Sequence, residues 1–214
     1  MKFFASGLLF DNDGVLVDSH GAANAAWSQW ASEFAPNFKW DVPENAGVRA
    51  EDKVREHVTP ELFEIANNRI NELEQLSAGE TIALPGAVEL LTSLIAGTWT
   101  VCTSANANLG KARLQAAGLP LPAQLVTGDD VKRGKPFPDP YLLGAERLGF
   151  EPVDCVVFED APAGVEAAIE AGVGLVIGVG KVALKSEADI VIKDLSGITF
   201  DGEVLFIPDS SRLR

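Results

Sequence analysis

The stretch SGLLFDNDGVLVDS, residues 6–19, decides how the rest of the chain is read. An apolar run ends abruptly in Asp11-Asn12-Asp13-Gly14. Alternate side chains share one face of a strand, so Asp11 and Asp13 are aimed to the same side and Asn12 to the other. Two carboxylates that close repel, and each shifts the other's pKa. Such a pair marks either a turn into solvent or a place where a cation sits between them.

Working outward, residues 3–10 (FFASGLLF) are expected to form the first strand. The N-terminus mimics a signal peptide for nine residues and then runs into acidic residues with no cleavage-like region, which favours the strand. Residues 22–35 form a helix on the spacing of Trp27, Trp30, Ala31 and Phe34, and Pro36 and Pro43 interrupt it. RAEDKVREHV and TPELFEIANNRINELEQL are helical; Thr59 is the expected N-cap of the second, with Pro60 at its first helical position. No strand is expected from Ala22 to about Ser77. The pattern then changes. LPGAVELLTSLIAG, NANLGKARLQAAG, PDPYLLGAERLG and PAGVEAAIEAG are helices, and WTVCTSA, AQLVTG, DCVVFED, GLVIGVG and ADIVIKD are strands. Apolar runs alternating with helices of this length mean a parallel sheet covered on both faces. ITFDGEVLFI, with Asp201-Gly202 at its middle, reads as a small hairpin. The fold class is therefore α/β, a Rossmann-like parallel core with a helical piece inserted after the first strand. The expected division is a core of residues 1–17 and 83–214 and an insert of residues 18–82, with a hinge where the chain crosses twice.

The chain has 214 residues, is 47% hydrophobic and carries a formal net charge of −14. That length supports one sizeable core and a smaller lobe. The acidity argues against nucleic acid or an anionic membrane surface as partner, and no apolar run is long enough to span a bilayer. A monomeric cytoplasmic protein is expected. The two cysteines, Cys102 and Cys155, lie in apolar strands outside any ligand-like cluster and read as buried thiols. An acidic protein binds an anionic ligand only with local help from a metal ion, placed cations or helix N-termini.

Ligands of open parallel sheets bind beyond the carboxyl ends of the strands. Asp11 and Asp13 follow the first strand there. Thr103 and Ser104 follow VCT, Lys132, Arg133 and Lys135 follow LVTGDD, and Glu159 and Asp160 follow VVF. Each alone is an ordinary turn former, cap or solvated charge. Together they put a carboxylate pair, hydroxyls, a lysine and a second acidic pair on one edge of one sheet.

FDNDGVLVDS, VCTS, KRGKPFPDPY and VVFEDAPAGVEAA, in that order, resemble the four signature motifs of the haloacid dehalogenase superfamily of phosphohydrolases. The helical insert resembles the superfamily's first cap class. Within the superfamily, LPGAVELL, KRGKP-PDPYLLGAERLG and VVFEDAPAGV look most like sugar phosphatases, including those for 2-deoxyglucose-6-phosphate and glycerol phosphate. The resemblance implies a Mg²⁺-dependent phosphatase of small phosphorylated sugars or polyols. Asp11 would be the nucleophile, forming an aspartyl phosphate, and Asp13 the general acid and then base. Lys135 would neutralise charge, and Thr103 with the backbone near Ser104 and Ala105 would bind phosphoryl oxygens. The implied metal ligands are the Asp11 carboxylate, the Asp13 carbonyl and Asp160, with Glu159 in support. Asn12 departs from the bulky apolar residue common there and is expected to point away from the site. Arg49 is the cap cation expected to contact a distal phosphate or sugar. Trp27 and Trp30 are expected in the cap core, and His20 lies near the hinge.

Four alternatives compete with this expectation. Related hexose-phosphate mutases carry a histidine ten residues after the second aspartate, where this chain has Ala23. Haloacid dehalogenases need neither Asp13 nor the acidic pair. A silent phosphate-binding or regulatory protein is disfavoured because every motif position is filled; receiver domains, in addition, carry their motifs in another order.

Overall fold

The computed structural model describes every residue except Asp41, Pro43 and Glu44; the expected interruption at Pro43 lies outside the described residues. At its centre is a five-stranded sheet in the order β5-β2-β6-β7-β8. Its strands are β2 (Gly7–Phe10), β5 (Trp99–Val101), β6 (Cys155–Glu159), β7 (Leu175–Val179) and β8 (Ile190–Ile192), and every neighbouring pair is parallel. β2 and β6 are buried along their whole length. That follows from helices covering both faces, so no polar alternation is needed. One face packs Leu8, Phe10, Val101, Phe158 and Ile177 into a core. The other packs Leu9, Cys102, Tyr141, Val157 and Val165. Phe10 and Phe158 stack with ring centroids 4.8 Å apart; truncating a buried ring of this kind costs about 3–5 kcal/mol.

The helices α4 (Ala87–Ser93), α5 (Ala107–Ala116), α6 (Asp139–Leu148) and α7 (Pro162–Glu170) lie where the periodicity placed them. α5 stops two residues before Gly118, which adopts φ +68°, a left-handed conformation that ends helices. Four local expectations need correction. The first apolar run is two strands, because β1 (Lys2–Phe4) joins a separate antiparallel sheet with β10 (Val204–Phe206) and β9 (Thr199–Phe200). That sheet contains the expected C-terminal hairpin. AQLVTG makes only a single bridge, Val126 to Cys102. The helix after Thr59 starts later: Thr59 to Leu62 form a turn, and α3 spans Phe63–Ser77. α4 is also shorter than its apolar pattern, ending before Leu94 turns extended.

Between β2 and β5 the chain forms α1 (His20–Phe34), α2 (Ala50–His57) and α3. Their own core holds Trp27, Trp30, Val54, Ile70 and Leu73. Trp30 Nε1 donates to the Ala66 carbonyl at 2.8 Å, and Trp27 stacks on Trp40 at 4.3 Å. Where the chain leaves the sheet and returns to it, β3 (Val17–Asp18) pairs antiparallel with β4 (Ile82–Ala83). No described helix is long and apolar enough to cross a membrane.

Candidate active site

The parallel register builds the site. Phe10 of β2 sits beside Phe158 of β6 and Val101 of β5. Asp11 and Glu159, the next residues along, and Thr103, two positions past Val101, therefore emerge together at one sheet edge. Lys135 arrives from the loop before α6. Its Nζ donates to Asp11 Oδ1 at 2.6 Å and to Glu159 Oε1 at 2.6 Å, and the lysine is almost wholly buried. Burial opposes charge on that ammonium, but Asp11 and Glu159 outweigh it and hold its pKa above the usual lysine value. Burial pushes the Asp11 carboxyl up to about 7; Lys135 pulls it down, while Glu159 and Asp13 add to the rise. Asp160 is likewise pushed well up, by burial first and then by Glu159 and Asp11.

Glu159 is more firmly held than its sequence position implied. Oε1 also accepts from Tyr141 Oη at 2.7 Å, and Oε2 accepts from the Ala161 amide at 3.1 Å. A Cβ on Gly164 would stand 1.7 Å from Oε1, so α7 can approach this carboxylate only with glycine there. Gly14 is required for a similar reason: it adopts φ +87°, and a Cβ would lie 2.2 Å from Asp160 Oδ2.

Oxygen atoms of Asp11, Glu159 and Asp160 lie within 4.8 Å of one another, all three residues buried. Three carboxylates against one ammonium leave this cluster short of positive charge. An all-oxygen donor set of this kind fits a hard divalent cation such as Mg²⁺.

Asp13 faces different partners. Its Oδ1 accepts from Ser19 Oγ at 2.5 Å and lies 3.0 Å from Arg113 Nη1. Arg113 in turn donates from Nη2 to Glu74 Oε1 at 3.1 Å. Burial raises the Glu74 pKa; Arg113 opposes that rise. Asn12 does not stand clear of Asp13: its amide lies 3.4 Å from Oδ2, and its own Oδ1 is buried without a partner among the described residues.

The remaining candidates fall into place less simply. The Thr103 hydroxyl accepts from the Ala105 amide at 3.1 Å, so that N–H is already engaged. Ser104 Oγ donates to the Gly47 carbonyl at 2.6 Å. Arg49 is held by several partners. It forms a fork with Asp52 at 2.8 and 2.9 Å and donates to the carbonyls of Gly128, Val131 and Lys132. These contacts tie the start of α2 to the loop before Lys135, and Arg49 also lines the cavity over the acidic cluster. His20 Nε2 lies 3.8 Å from Asp160 Oδ2. Both cysteines are free and buried, with burial pushing each thiol up to about 12.

Above the acidic cluster opens a cavity of about 570 Å³ between the sheet edge and α1–α3. Asp11, Asp13 and Asp160 lie at its floor; Asn24, Asn67, Asn71 and Trp27 line it from the helices. A model of the haloacid dehalogenase-like hydrolases matches residues 5–172. The chain belongs to that family. Among family relatives, Escherichia coli hexitol phosphatase A is 42% identical over 201 residues, covering 90% of this chain and 93% of the relative. Yeast (Saccharomyces cerevisiae) glycerol-1-phosphate phosphohydrolase 2 is 32% identical over 225 residues, covering 94% and 89%. A hydrolase from Pseudomonas syringae superposes with TM-score 0.77 at 28% identity, covering 89% of this chain and 94% of that one. The β-phosphoglucomutase of Clostridium difficile shares the fold (TM-score 0.77, 21% identity, 89% and 92% covered).

Ser19, Glu74, Arg113 and Tyr141 are the site neighbours that sequence reasoning missed. Ser19 and Tyr141 stood inside the quoted motifs. Glu74 and Arg113 stood in amphipathic helices with nothing to separate them from solvated charges.

Proposed function

We infer that this phosphoric monoester hydrolase acts on small phosphorylated polyols or sugars, with Asp11 as nucleophile. The observation that carries this is the Asp11 carboxylate, held by buried Lys135 beneath a cavity whose upper wall presents the amides of Asn24, Asn67 and Asn71 beside the charged Arg49, Glu51 and Glu74. In this reading residues 18–82 act as a cap over the core. Asp11, Asp160 and the Asp13 carbonyl would hold Mg²⁺, with Glu159 in support, and the ion would offset the charge of the carboxylates and of a phosphate dianion.

The chain's own groups divide the remaining work. Asp11 attacks phosphorus and becomes the aspartyl phosphate. A sugar alkoxide is a poor leaving group, so Asp13 delivers a proton to the ester oxygen as the P–O bond breaks. It then accepts a proton from the water that hydrolyses the acyl phosphate. Lys135 stays charged and stabilises the phosphoryl oxygens as charge builds. Asn67 Oδ1 is buried at the cavity with no partner among the described residues, and a substrate hydroxyl would satisfy it; a buried acceptor left unpaired costs about 1–3 kcal/mol. Ala23, where the mutases carry histidine, lines the same cavity and brings no hydrogen-bonding group. That favours transfer to water over transfer to a second sugar hydroxyl.

A panel of hexitol, hexose, deoxyhexose and glycerol phosphates, assayed for free phosphate with Mg²⁺ and with EDTA, tests the assignment. Release from several polyol phosphates that EDTA abolishes is the expected result. Isomerised sugar phosphate without phosphate release would establish a mutase instead.

A further inference from the structure

The ion pairs around Asp13 cross the molecule in a way that burial alone does not require. Arg113 belongs to α5 on the sheet side, and its side chain is only 6% exposed. Its guanidinium reaches Asp13 on the loop after β2 and Glu74 on α3, a carboxylate from the three-helix insert. The Trp27 indole N–H also faces Glu74 but completes no hydrogen bond. Ser19 and Arg113 both converge on Oδ1 of Asp13. On Oδ2 the only close donor among the described residues is the Asn12 amide at 3.4 Å, too long to hold it firmly.

We propose that Arg113 is a positioning residue for the general acid. With Ser19 it clamps Oδ1, leaving Oδ2 as the atom that hands its proton to the ester oxygen, and Glu74 holds the guanidinium in register from the cap side. This rests on the assignment of Asp13 as acid. A planar, forked guanidinium suits the task, since it fixes direction as well as charge and bridges two carboxylates at once. Glu74 makes the clamp depend on α3 being seated over the sheet edge.

The test reads single-turnover release of the leaving group, the step before water attacks the acyl phosphate, and compares glycerol phosphate, whose alkoxide needs the proton, with p-nitrophenyl phosphate, whose phenolate leaves without one. For Arg113→Met, that rate on glycerol phosphate should fall by about 100-fold, the low end of what proton transfer contributes, with the half-saturating substrate concentration little changed. Loss on p-nitrophenyl phosphate should stay within about 5-fold, because only the proton-dependent step is affected. Arg113→Lys should recover part of the loss on the alkyl ester. Removing Arg113 alone strands Glu74 as a buried charge, so the double variant Arg113→Met/Glu74→Met keeps the fold testable; it should show the same split between substrates. Equal losses on both substrates in the double variant would overturn the positioning role. Asp13→Asn serves as reference: it should show a still larger split, and its absence would sink the acid assignment itself.

Discussion

The floor and the roof of the cavity are built on opposite principles. On the floor, Lys135, Asp11, Glu159 and Tyr141 satisfy one another at 2.6–2.7 Å in full burial. In the roof, Asn67 has an acceptor with no partner among the described residues, Asn24 lines the cavity, and Asn71 Oδ1 accepts from Asn106 Nδ2 at 3.1 Å. A network closed on itself has few alternative arrangements, which suits chemistry that must be repeated on every substrate. Polar groups left open suit recognition, because the ligand completes them. Arg49, a cation of the roof, is held by Asp52 and three carbonyls.

The sharpest way to break this contrast is at the floor. Asp11→Asn should abolish turnover on every substrate, by about 10⁴-fold or more, the scale on which removing a nucleophile acts. Retained activity in protein shown by mass spectrometry to be free of deamidation would remove Asp11 from the chemistry. A roof variant should behave differently. Asn67→Leu is expected to raise KM for polyol phosphates by about 10-fold, the worth of one lost hydrogen bond, and to leave p-nitrophenyl phosphate unchanged. The same variant should melt slightly higher without substrate, since it deletes an unsatisfied buried acceptor; a lower Tm would mean that Asn67 is already satisfied.

Arg49→Ala sharpens the comparison further. With its guanidinium tied to the 128–132 loop, its loss should raise KM by a similar small factor, about 3-fold, on all substrates, the effect of one weak tie between lobes. A reordered substrate ranking would restore the distal-contact role and make the roof more charged than its geometry shows. The smallest effect is expected in that loop itself. Burial pushes Asp130 up, but Arg147 and the Thr127 hydroxyl and amide outweigh it and bring its pKa down to about 2. A carboxyl with a depressed folded-state pKa contributes stability that is complete above its unfolded value and fades as pH falls toward the folded one. Asp130→Asn should therefore cost about 1 kcal/mol at neutral pH, the usual value of a helix cap. Thermal melts at pH 7 and at pH 2 would check this, because the difference from wild type should shrink in acid.

Much of the floor was legible because each of its residues follows an apolar run at a strand end. Parallel pairing then brings such positions to one edge without further information. The roof was less legible. Arg49 read as a free cation since its carbonyl partners lie 79 to 83 residues away in the chain, although Asp52 is only three residues on. Thr59 read as a cap because Thr-Pro starts helices, yet α3 begins at Phe63. The FFASGLLF run read as one strand because nothing in its composition shows that Lys2–Phe4 finds a partner at the far end of the chain.

Sequence alone determined the α/β alternation, the order of the strand-end residues and the family, because strand and helix periodicities and turn residues act over short distances. Tertiary structure alone decided that Glu159 braces Lys135, that Arg49 is tied down, and that Arg113 joins Asp13 to Glu74. Those arrangements depend on which of many similar charges come within about 3 Å across the fold, where burial makes each pairing strong.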